Sequence, residues 1–385
     1  MRSRPRLMIR CVTLAVTVAL LPAAAHAQGG SGNDGFNVTP TGYVQLDFRG
    51  FSNWDVTPGT GRLNRDSVEI RRLRAGLDGQ WKRMTFEVSI DPLDDDGVFV
   101  KDAYGQVRFS RALRLTVGQF KVPGTRDYDE TARRLDFPER AALTLALGVG
   151  RDLGARFDGR VGRVNYEAGF FAGDGVGRND RSGMTGASRV VWRVAKDLEI
   201  GGSISAGRTE ATDTDSQNGV SLRAPSGYRF ADAVYVNGRR TRLGADAEWT
   251  PGGWRVKAEW LRETDQRKEQ GLDYEDLPAA IGTGFYSSVR RRLTRRIDAA
   301  FRYDYLALDD ANGTTAFESV RPRATDIRAR ANHAYTAAGA WTVNRWIRLI
   351  GDVSAERYTD GRSAPRSGDE GAYFTAAARI QIELP

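Results

Sequence analysis

Apolar and polar residues alternate strictly along short segments of the chain. In residues 84–91, for example, Met84, Phe86, Val88 and Ile90 alternate with polar residues. Because successive side chains of a β-strand point to opposite faces, this pattern predicts a strand with one apolar and one polar face. The chain is therefore predicted to consist mainly of two-faced strands.

The same alternation recurs in sixteen segments between residue 43 and the end of the chain. An even number of strands is what bacterial single-chain membrane barrels require. The candidate strands cover residues 43–49, 72–78, 84–91, 102–109, 113–120, 152–158, 164–171, 187–194, 198–206, 242–249, 254–261, 281–289, 296–305, 335–342, 346–356 and 373–384.

The connections between these strands are alternately short and long. Short ones such as 110–112 and 343–345 alternate with long polar ones such as 207–240 and 307–329. Short periplasmic turns and longer extracellular loops are typical of outer-membrane barrels, whereas a soluble sandwich or propeller gives no reason for this regularity. A closed barrel also satisfies every backbone polar group in lipid, and this many strands leave a water-filled lumen. The pattern predicts an all-β, sixteen-stranded antiparallel transmembrane β-barrel.

The third long connection, Lys121–Gly150, carries five basic residues and an apolar stretch at 141–147. Residues 129–135 and 139–147 are predicted to form short helical turns. A loop with this much apolar surface is expected to pack against a wall instead of extending into solvent. We therefore predict an inward-folded third loop that narrows the lumen with its arginines. An outward loop that contacts another subunit is the alternative.

The polar faces of the strands, which would line the lumen, carry charges of both signs. Arginines such as Arg49, Arg156 and Arg302 recur along them, with acids such as Asp47 and Asp304 between them. A ring of arginines attracts anions, whereas ion pairs with neighbouring acids cancel that attraction. The composition favours passive diffusion of small anions, and a general, weakly selective porin is the alternative.

The first residues have the pattern of a cleaved export signal. Four arginines are followed by an apolar run at 11–21 and by the small-residue pattern Ala25-His26-Ala27. This predicts a signal peptide at 1–27 and a mature barrel domain at 28–385, exported to the outer membrane. Cleavage removes four arginines and no acid, so the formal net charge falls from +8 to +4. Nucleic-acid binding loses its support, and we predict no nucleic-acid partner.

Few residues of the mature chain are suited to catalysis or metal binding. It has one histidine, His333, and no cysteine, since Cys11 lies in the signal peptide. Zinc sites need clusters of His, Cys, Asp or Glu, so we predict no metal, no cofactor and no enzymatic activity. A barrel hydrolase built around His333 and a structural barrel with a plugged lumen are the alternatives.

Three segments of the chain resemble motifs of the phosphate-selective porin O and P family. They are residues 69–79, 101–104 and 117–123, and Pro138–Arg140 follows them in the matching order. The resemblance implies a trimeric porin in the outer membrane of a Gram-negative bacterium. It also implies that arginines along the lumen guide phosphate to a constriction that contains lysine.

The positions that match these motifs are Arg71, Arg72 and Arg74 on the second strand and Lys121 at the start of the third loop. Arginine offers phosphate a planar fork of donors, and lysine offers a point charge. The chain departs from the family in having few lysines downstream, so we expect no lysine-rich phosphate cage. It also lacks the aromatic final residue that is usual in outer-membrane barrels, so we expect less efficient assembly. The predicted partners are outer-membrane lipid, small anions such as phosphate, and further copies of the chain in a homotrimer. The predicted anion-binding residues are Arg71, Arg72, Arg74, Lys121, Arg126, Arg133, Arg134 and Arg140.

Overall fold

Sixteen antiparallel strands form one closed barrel in the computed structural model, and each of the sixteen predicted strands is found in it. The structure describes residues 35–51, 56–57, 61–62, 66–93, 99–173, 175, 183–209, 220–223, 229–234, 238–266, 279–310, 331–359 and 372–384. The predicted signal peptide at 1–27 lies outside these residues. The barrel strands are β1 (Phe36–Phe51), β2 (Ser67–Trp81), β3 (Met84–Ile90), β4 (Val100–Arg108), β5 (Arg114–Lys121), β6 (Arg151–Val161), β7 (Val164–Phe171), β8 (Thr185–Arg193), β9 (Leu198–Thr209), β10 (Gly238–Trp249), β11 (Trp254–Asp265), β12 (Ala280–Arg292), β13 (Ile297–Asp310), β14 (Ala331–Thr342), β15 (Ile347–Thr359) and β16 (Ala372–Glu383).

Each strand pairs with its neighbours in sequence, and β1 closes the ring by pairing with β16 from Tyr43 onward. The predicted antiparallel barrel is therefore confirmed. At this seam, the buried side chain of Gln45 donates from Nε2 to Gln381 Oε1 at 2.7 Å. Two further two-stranded sheets, 56–57 with 61–62 and 220–223 with 229–234, are not part of the barrel sheet. No helix in the described ranges is long and apolar enough to cross a membrane.

Strand β1 begins at Phe36, seven residues before the predicted start. Residues 36–41 pair with β2 alone, because the pairing with β16 starts at Tyr43 and is preceded only by the hydrogen bond from the Leu384 N–H to the Gly42 carbonyl. This part of β1 is thus an edge, where Pro40 loses no ladder hydrogen bond by lacking an N–H group. The sequence pattern missed it because Pro40 and Gly42 interrupt the alternation.

The two faces of the barrel differ as the alternation predicts. Large apolar side chains such as Val117, Phe157 and Val353 point outward and are about half exposed. Charged side chains such as Asp47 and Arg379 point inward and are buried among each other. An apolar band outside and a polar lining inside are the arrangement of a barrel in a membrane.

Two β-bulges change which side chains reach the lumen. The β1–β2 register shifts so that Gln45 pairs with Arg72 and Leu46 with Ile70, which leaves Arg71 as the extra residue. Lys101 on β4 is the extra residue of a second bulge. Strict alternation would turn Arg71 away from Arg72 and Arg74, whereas a bulge re-aims the side chain locally.

The outward face of β2 contains a glycine that a neighbouring aromatic ring covers. In register, Phe86 on β3 lies between Gly79 on β2 and Gly105 on β4. A Cβ atom at Gly79 would overlap the Phe86 ring at 1.8 Å, whereas one at Gly105 would meet nothing within 4 Å. We expect Gly79→Ala to lower the free energy of unfolding by about 1–3 kcal/mol, because the ring must leave its place. Guanidinium titration in lipid micelles measures this loss. Gly105→Ala is the matched control, and an equal loss there would contradict the explanation.

Candidate functional site

The connection between β5 and β6, residues 122–150, contacts inward-facing side chains on strands all around the barrel; we call it the β5–β6 segment. It contains the short helices α1 (Arg126–Asp129) and α2 (Ala142–Leu147). Helix α1 starts three residues before the helical turn that was predicted at 129–135, and within that range a single turn is closed by the Arg134 N–H and the Thr131 carbonyl at 2.9 Å. Thr125 fixes the earlier start, since its hydroxyl accepts a hydrogen bond from the Tyr128 N–H at 3.3 Å.

At α1 the segment is held by carboxylates of the wall. The Arg126 guanidinium donates to Asp246 at 2.5 Å and to Glu248 at 2.7 Å, both on β10. Its backbone N–H donates to Glu259 on β11 at 2.6 Å. Burial opposes the positive charge, but the hydrogen bonds and charges of Asp246 and Glu248 outweigh it, so the pKa of Arg126 is raised. Arg126 therefore anchors the segment as a permanent cation.

Further along, the signs are reversed, and a carboxylate of the segment meets arginines of the wall. Glu139 lies 2.5 Å from Arg49, 2.9 Å from Arg71, 3.8 Å from Arg379 and 4.0 Å from Arg72. Burial alone would raise the pKa of Glu139, but the charges of Arg71 and Arg49 hold it well below its ordinary value. Glu139 is therefore the shared counterion of four inward arginines.

Helix α2 packs on two glycines of β12. A Cβ atom at Gly284 would lie 2.3 Å from Cβ of Leu143, and one at Gly282 would lie 2.5 Å from Cδ2 of Leu147. Both leucines are fully buried. The Ala142 N–H donates to Asp304 on β13 at 3.0 Å, which fixes the first turn of the helix. The apolar stretch of the segment is thus buried against the inner faces of β12 and β13.

A cavity of about 620 Å³ remains beside the segment, lined by parts of β1–β7. Nine basic and six acidic residues line it, so its lining carries a formal excess of positive charge. Six of the eight predicted anion-binding residues line this cavity, namely Arg71, Arg72, Arg74, Lys121, Arg133 and Arg140. The other two, Arg126 and Arg134, line a second cavity of about 780 Å³.

Three of the predicted anion-binding residues donate short hydrogen bonds to other groups of the protein. Arg72 donates to Gln45 Oε1 at 2.8 Å, and Arg140 donates to the backbone carbonyls of the segment, at 2.6 Å for Glu130. Lys121 Nζ donates to the Tyr128 carbonyl at 2.7 Å and to the next two carbonyls, which caps the end of α1. Each of these groups has protein acceptors for its charge.

Two others are held more loosely. Arg74 lies 3.6 Å from Asp91, and Arg133 lies 3.8 Å from Glu383, beyond hydrogen-bond distance in both cases. Both guanidinium groups approach the ring of Tyr43, at 5.8 and 5.9 Å from its centroid. These two cations therefore keep donors that can turn toward an anion in the cavity.

Arg134 is exposed toward both the 780 Å³ cavity and a third one of about 500 Å³. Within the described ranges its side chain has no ion-pair partner. Among the predicted residues it is the one most open to water in the lumen.

Sequence reasoning missed the role of Glu139 and of Arg151. Glu139 was noticed only as part of a motif, because a loop has no periodicity that indicates where a side chain points. Arg151 makes a bidentate pair with Asp102 on β4, at 2.9 and 3.0 Å, and lines the 620 Å³ cavity. Its position one residue before the predicted start of β6 was the available signal.

His333 does not meet the requirements of a hydrolase in the described part of the chain. Its Nδ1 lies 2.9 Å from the Tyr303 hydroxyl, and the rings of Tyr305 and Tyr335 belong to the same aromatic group on the outside of the barrel. No described serine or carboxylate accompanies it within hydrogen-bond distance. The described residues also contain no group of three His, Cys, Asp or Glu that could hold a metal ion.

Comparison with known proteins gives one family and a set of similar folds. The sequence profile of the family described as phosphate-selective porin O and P matches residues 38–384. OmpT, an outer-membrane protein of Vibrio cholerae solved in a trimer form, has a TM-score of 0.62 at 10% identity and covers 91% of this chain and 100% of its own. The outer-membrane channel DcaP of Acinetobacter baumannii gives 0.60 at 11%, with 92% and 99% covered. OmpF of Salmonella typhi, in complex with daunomycin, gives 0.59 at 10%, with 91% and 99% covered. No curated protein sequence matches the chain significantly.

Proposed function

Because this chain belongs to the phosphate-selective porin O and P family, we propose that it lets small anions, phosphate among them, diffuse passively through its lumen. Family and fold indicate an outer-membrane channel. Selectivity for anions is our proposal and goes beyond what the family and the fold indicate. It rests on the basic excess of the 620 Å³ cavity and on two cations in it that lack close partners.

Arg74 and Arg133 carry the proposal. Because both contacts with carboxylates are 3.6 Å or longer, a passing anion competes with a weak interaction and not with a hydrogen-bonded pair. Guanidinium groups suit phosphate, since they donate two parallel hydrogen bonds to its oxygens. Arg71, Arg72, Lys121 and Arg140 would then act by their charge and by shaping the cavity.

A general, weakly selective porin is the second candidate, and the ion pairs of the lumen favour it. Arg126, Arg189, Arg255 and Arg379 each lie within 2.7 Å of a carboxylate. Paired charges of this kind attract ions weakly beyond a Debye length of about 8 Å at physiological ionic strength. The balance between paired and loosely held arginines decides between the two candidates.

The proposed channel needs no covalent chemistry. We propose that His333 has no catalytic role, in keeping with its tyrosine neighbours on the outside of the barrel. Replacement by alanine should leave conductance unchanged and remove no hydrolase activity; loss of such an activity would favour the barrel enzyme. We also propose a homotrimer, supported by the trimer form of the similar OmpT, and export by the predicted signal peptide at 1–27.

The test is the zero-current potential of the purified protein in a planar bilayer under a KCl gradient, followed by phosphate titration. We expect an anion-signed potential and a conductance that phosphate blocks. Arg74→Gln with Arg133→Gln should weaken phosphate block by about tenfold, because charged hydrogen bonds contribute about 1.5 kcal/mol or more.

Arg208→Gln with Arg239→Gln is the matched control for this pair. Both arginines are exposed on the outward face, so the control removes the same charge without touching the lumen. It should leave the potential and the block unchanged. A near-zero potential in the unmodified protein, with no block of the conductance by phosphate, would favour the general porin. An unchanged phosphate block in the Arg74 and Arg133 variant would refute the role of these two residues.

A further inference from the structure

The short turns at one end of the barrel carry a strong excess of positive charge. The seven turns lie at 82–83, 109–113, 162–163, 194–197, 250–253, 293–296 and 343–346. Together they contain eight lysines and arginines and a single acid, Asp197. We call these eight cations the basic collar. Short turns face the periplasm in outer-membrane barrels, so the collar lies at the periplasmic end.

All eight cations of the collar are exposed. Within the described ranges none of them is ion-paired. The turns are also tied to neighbouring strands by backbone hydrogen bonds, such as Arg160 N–H to the Arg111 carbonyl at 3.0 Å and Thr342 N–H to the Arg296 carbonyl at 2.8 Å. The backbone of the turns is therefore held in place, and the eight cations, on six of the seven turns, are available to a partner.

Tryptophan rings lie directly beside two cations of the collar and beside Arg291, next to the collar. Lys82 Nζ is 4.9 Å from the centroid of the Trp81 ring, and the Arg345 guanidinium carbon is 4.2 Å from that of Trp346. Arg291, at the end of β12, is 4.7 Å from the ring of Trp254. Trp81 and Trp254 are more than 40% exposed on the outside of the barrel. Tryptophans in this position lie at the headgroup level of a membrane, so the stacked cations lie there too.

The opposite end of the barrel has the opposite balance of charge. Apart from the β5–β6 segment, the seven long connections together contain twenty-one acids and fourteen lysines and arginines. A general preference for basic residues at loops does not explain the collar. The asymmetry indicates a partner of negative charge at the turn end only.

We infer that the basic collar binds the anionic headgroups of phospholipids in the periplasmic leaflet. The phosphodiester of such a lipid can accept hydrogen bonds from a stacked arginine or lysine while its chains lie along the outward apolar face. An acidic soluble protein would meet the turns but not the exposed faces of Trp81 and Trp254. The pairing of cations with membrane-level tryptophans therefore favours a lipid.

Native mass spectrometry of the folded, full mature protein tests the inference. The protein is released from micelles that contain equal amounts of phosphatidylglycerol and phosphatidylcholine, and bound lipids are counted. We expect phosphatidylglycerol adducts to exceed phosphatidylcholine adducts by about fivefold or more, the ratio for one cation near an anionic surface. The triple variant Lys82→Gln, Arg291→Gln, Arg345→Gln, which removes the cations beside tryptophan rings, should lower this ratio towards one.

The matched control is the triple variant Arg208→Gln, Arg239→Gln, Arg262→Gln. These exposed arginines lie on the outside at the other ends of β9, β10 and β11, so the control removes the same charge away from the collar. Its ratio should equal that of the unmodified protein. Heat-modified migration in gels confirms that each variant is folded.

Three results would overturn the inference. They are equal binding of the two lipids by the unmodified protein, an equal loss in the control, and adducts of added inorganic phosphate in place of lipid. Channel selectivity is not a readout here, so failure of the lipid site leaves the proposed anion channel untouched.

Discussion

Replacing Glu139 with glutamine is expected to lower the free energy of unfolding by about 3 kcal/mol. The carboxylate is buried and serves Arg49, Arg71, Arg72 and Arg379, so its loss leaves buried cations without their shared counterion. Breaking a buried ion pair from one side costs about 3–5 kcal/mol, and Asp47, which also pairs with Arg49 and Arg379, keeps the loss near the lower end. Guanidinium titration in lipid micelles measures it.

The same substitution is expected to increase anion preference in the bilayer, because one negative charge leaves the lumen. Glu167→Gln is the matched control. It removes the same charge from a pair with Arg156 at 3.3 Å, in which the Glu167 side chain is 32% exposed. Exposed pairs contribute at most about 1 kcal/mol, so the control should shift the zero-current potential with little loss of stability. Equal stability losses in the two variants would refute the role of Glu139 as a shared counterion.

The pH dependence follows from the lowered pKa of Glu139. A group whose pKa is lower in the folded state stabilises the fold fully above its ordinary value, here 4.5. That stabilisation is lost as the pH falls through the lower, folded value. The difference in free energy between the unmodified protein and Glu139→Gln should thus stay constant from neutral pH to about 5 and shrink only below 4.5. A difference that vanishes between pH 7 and 5 would contradict this.

Replacing Gly284 with valine is expected to displace α2 from the wall. The new Cβ atom would lie 2.3 Å from Cβ and 3.1 Å from Cα of Leu143, so the helix backbone itself must move. Overpacking of this kind costs about 2 kcal/mol, which corresponds to an approximately 30-fold loss of amide protection in the docked segment. Hydrogen exchange of peptides from residues 122–150 measures it, and single-channel recordings should show new conductance levels.

Gly339→Val is the matched control for this prediction. A Cβ atom at Gly339 meets nothing within 4 Å, so exchange in the segment should not change. Gly282→Ala should have an intermediate effect, because there the nearest atom is the flexible end of Leu147. Unchanged protection in the Gly284 variant would mean that α2 does not need the glycine surface.

The strands were predictable because each follows from the local alternation of apolar and polar side chains, and all sixteen were found. The exceptions have local causes. Pro40 and Gly42 hide the first half of β1, and the bulges at Arg71 and Lys101 break the period of two that the prediction assumed. A bulge depends on the register of the partner strand, which one segment of sequence does not contain.

The residues of the candidate site could be predicted from the sequence, but the partners of each arginine in the folded protein could not. Six of the eight predicted residues line one cavity, because the loop and the polar face of β2 were recognised as basic. Arg72 is held by a hydrogen bond to Gln45, whereas Arg74 has only a loose contact with Asp91. Such differences depend on residues far away in sequence. The role of Lys121 as a cap of α1 could not be predicted either, because it depends on how the segment folds back on the strand.

Gln45 connects two events in the folding of this chain. Its Nε2 donates to Gln381, 336 residues away, and also to the Ala132 carbonyl of the β5–β6 segment at 3.1 Å. The Gln45 amide therefore makes both hydrogen bonds, to the segment and to the last strand, only when the first and last strands have met. Forming a contact across so long a chain is slow, so the seam is expected to close late. The docking of the segment is thus completed together with the ring, and an unclosed barrel would be an open trough to which the segment is held by fewer contacts.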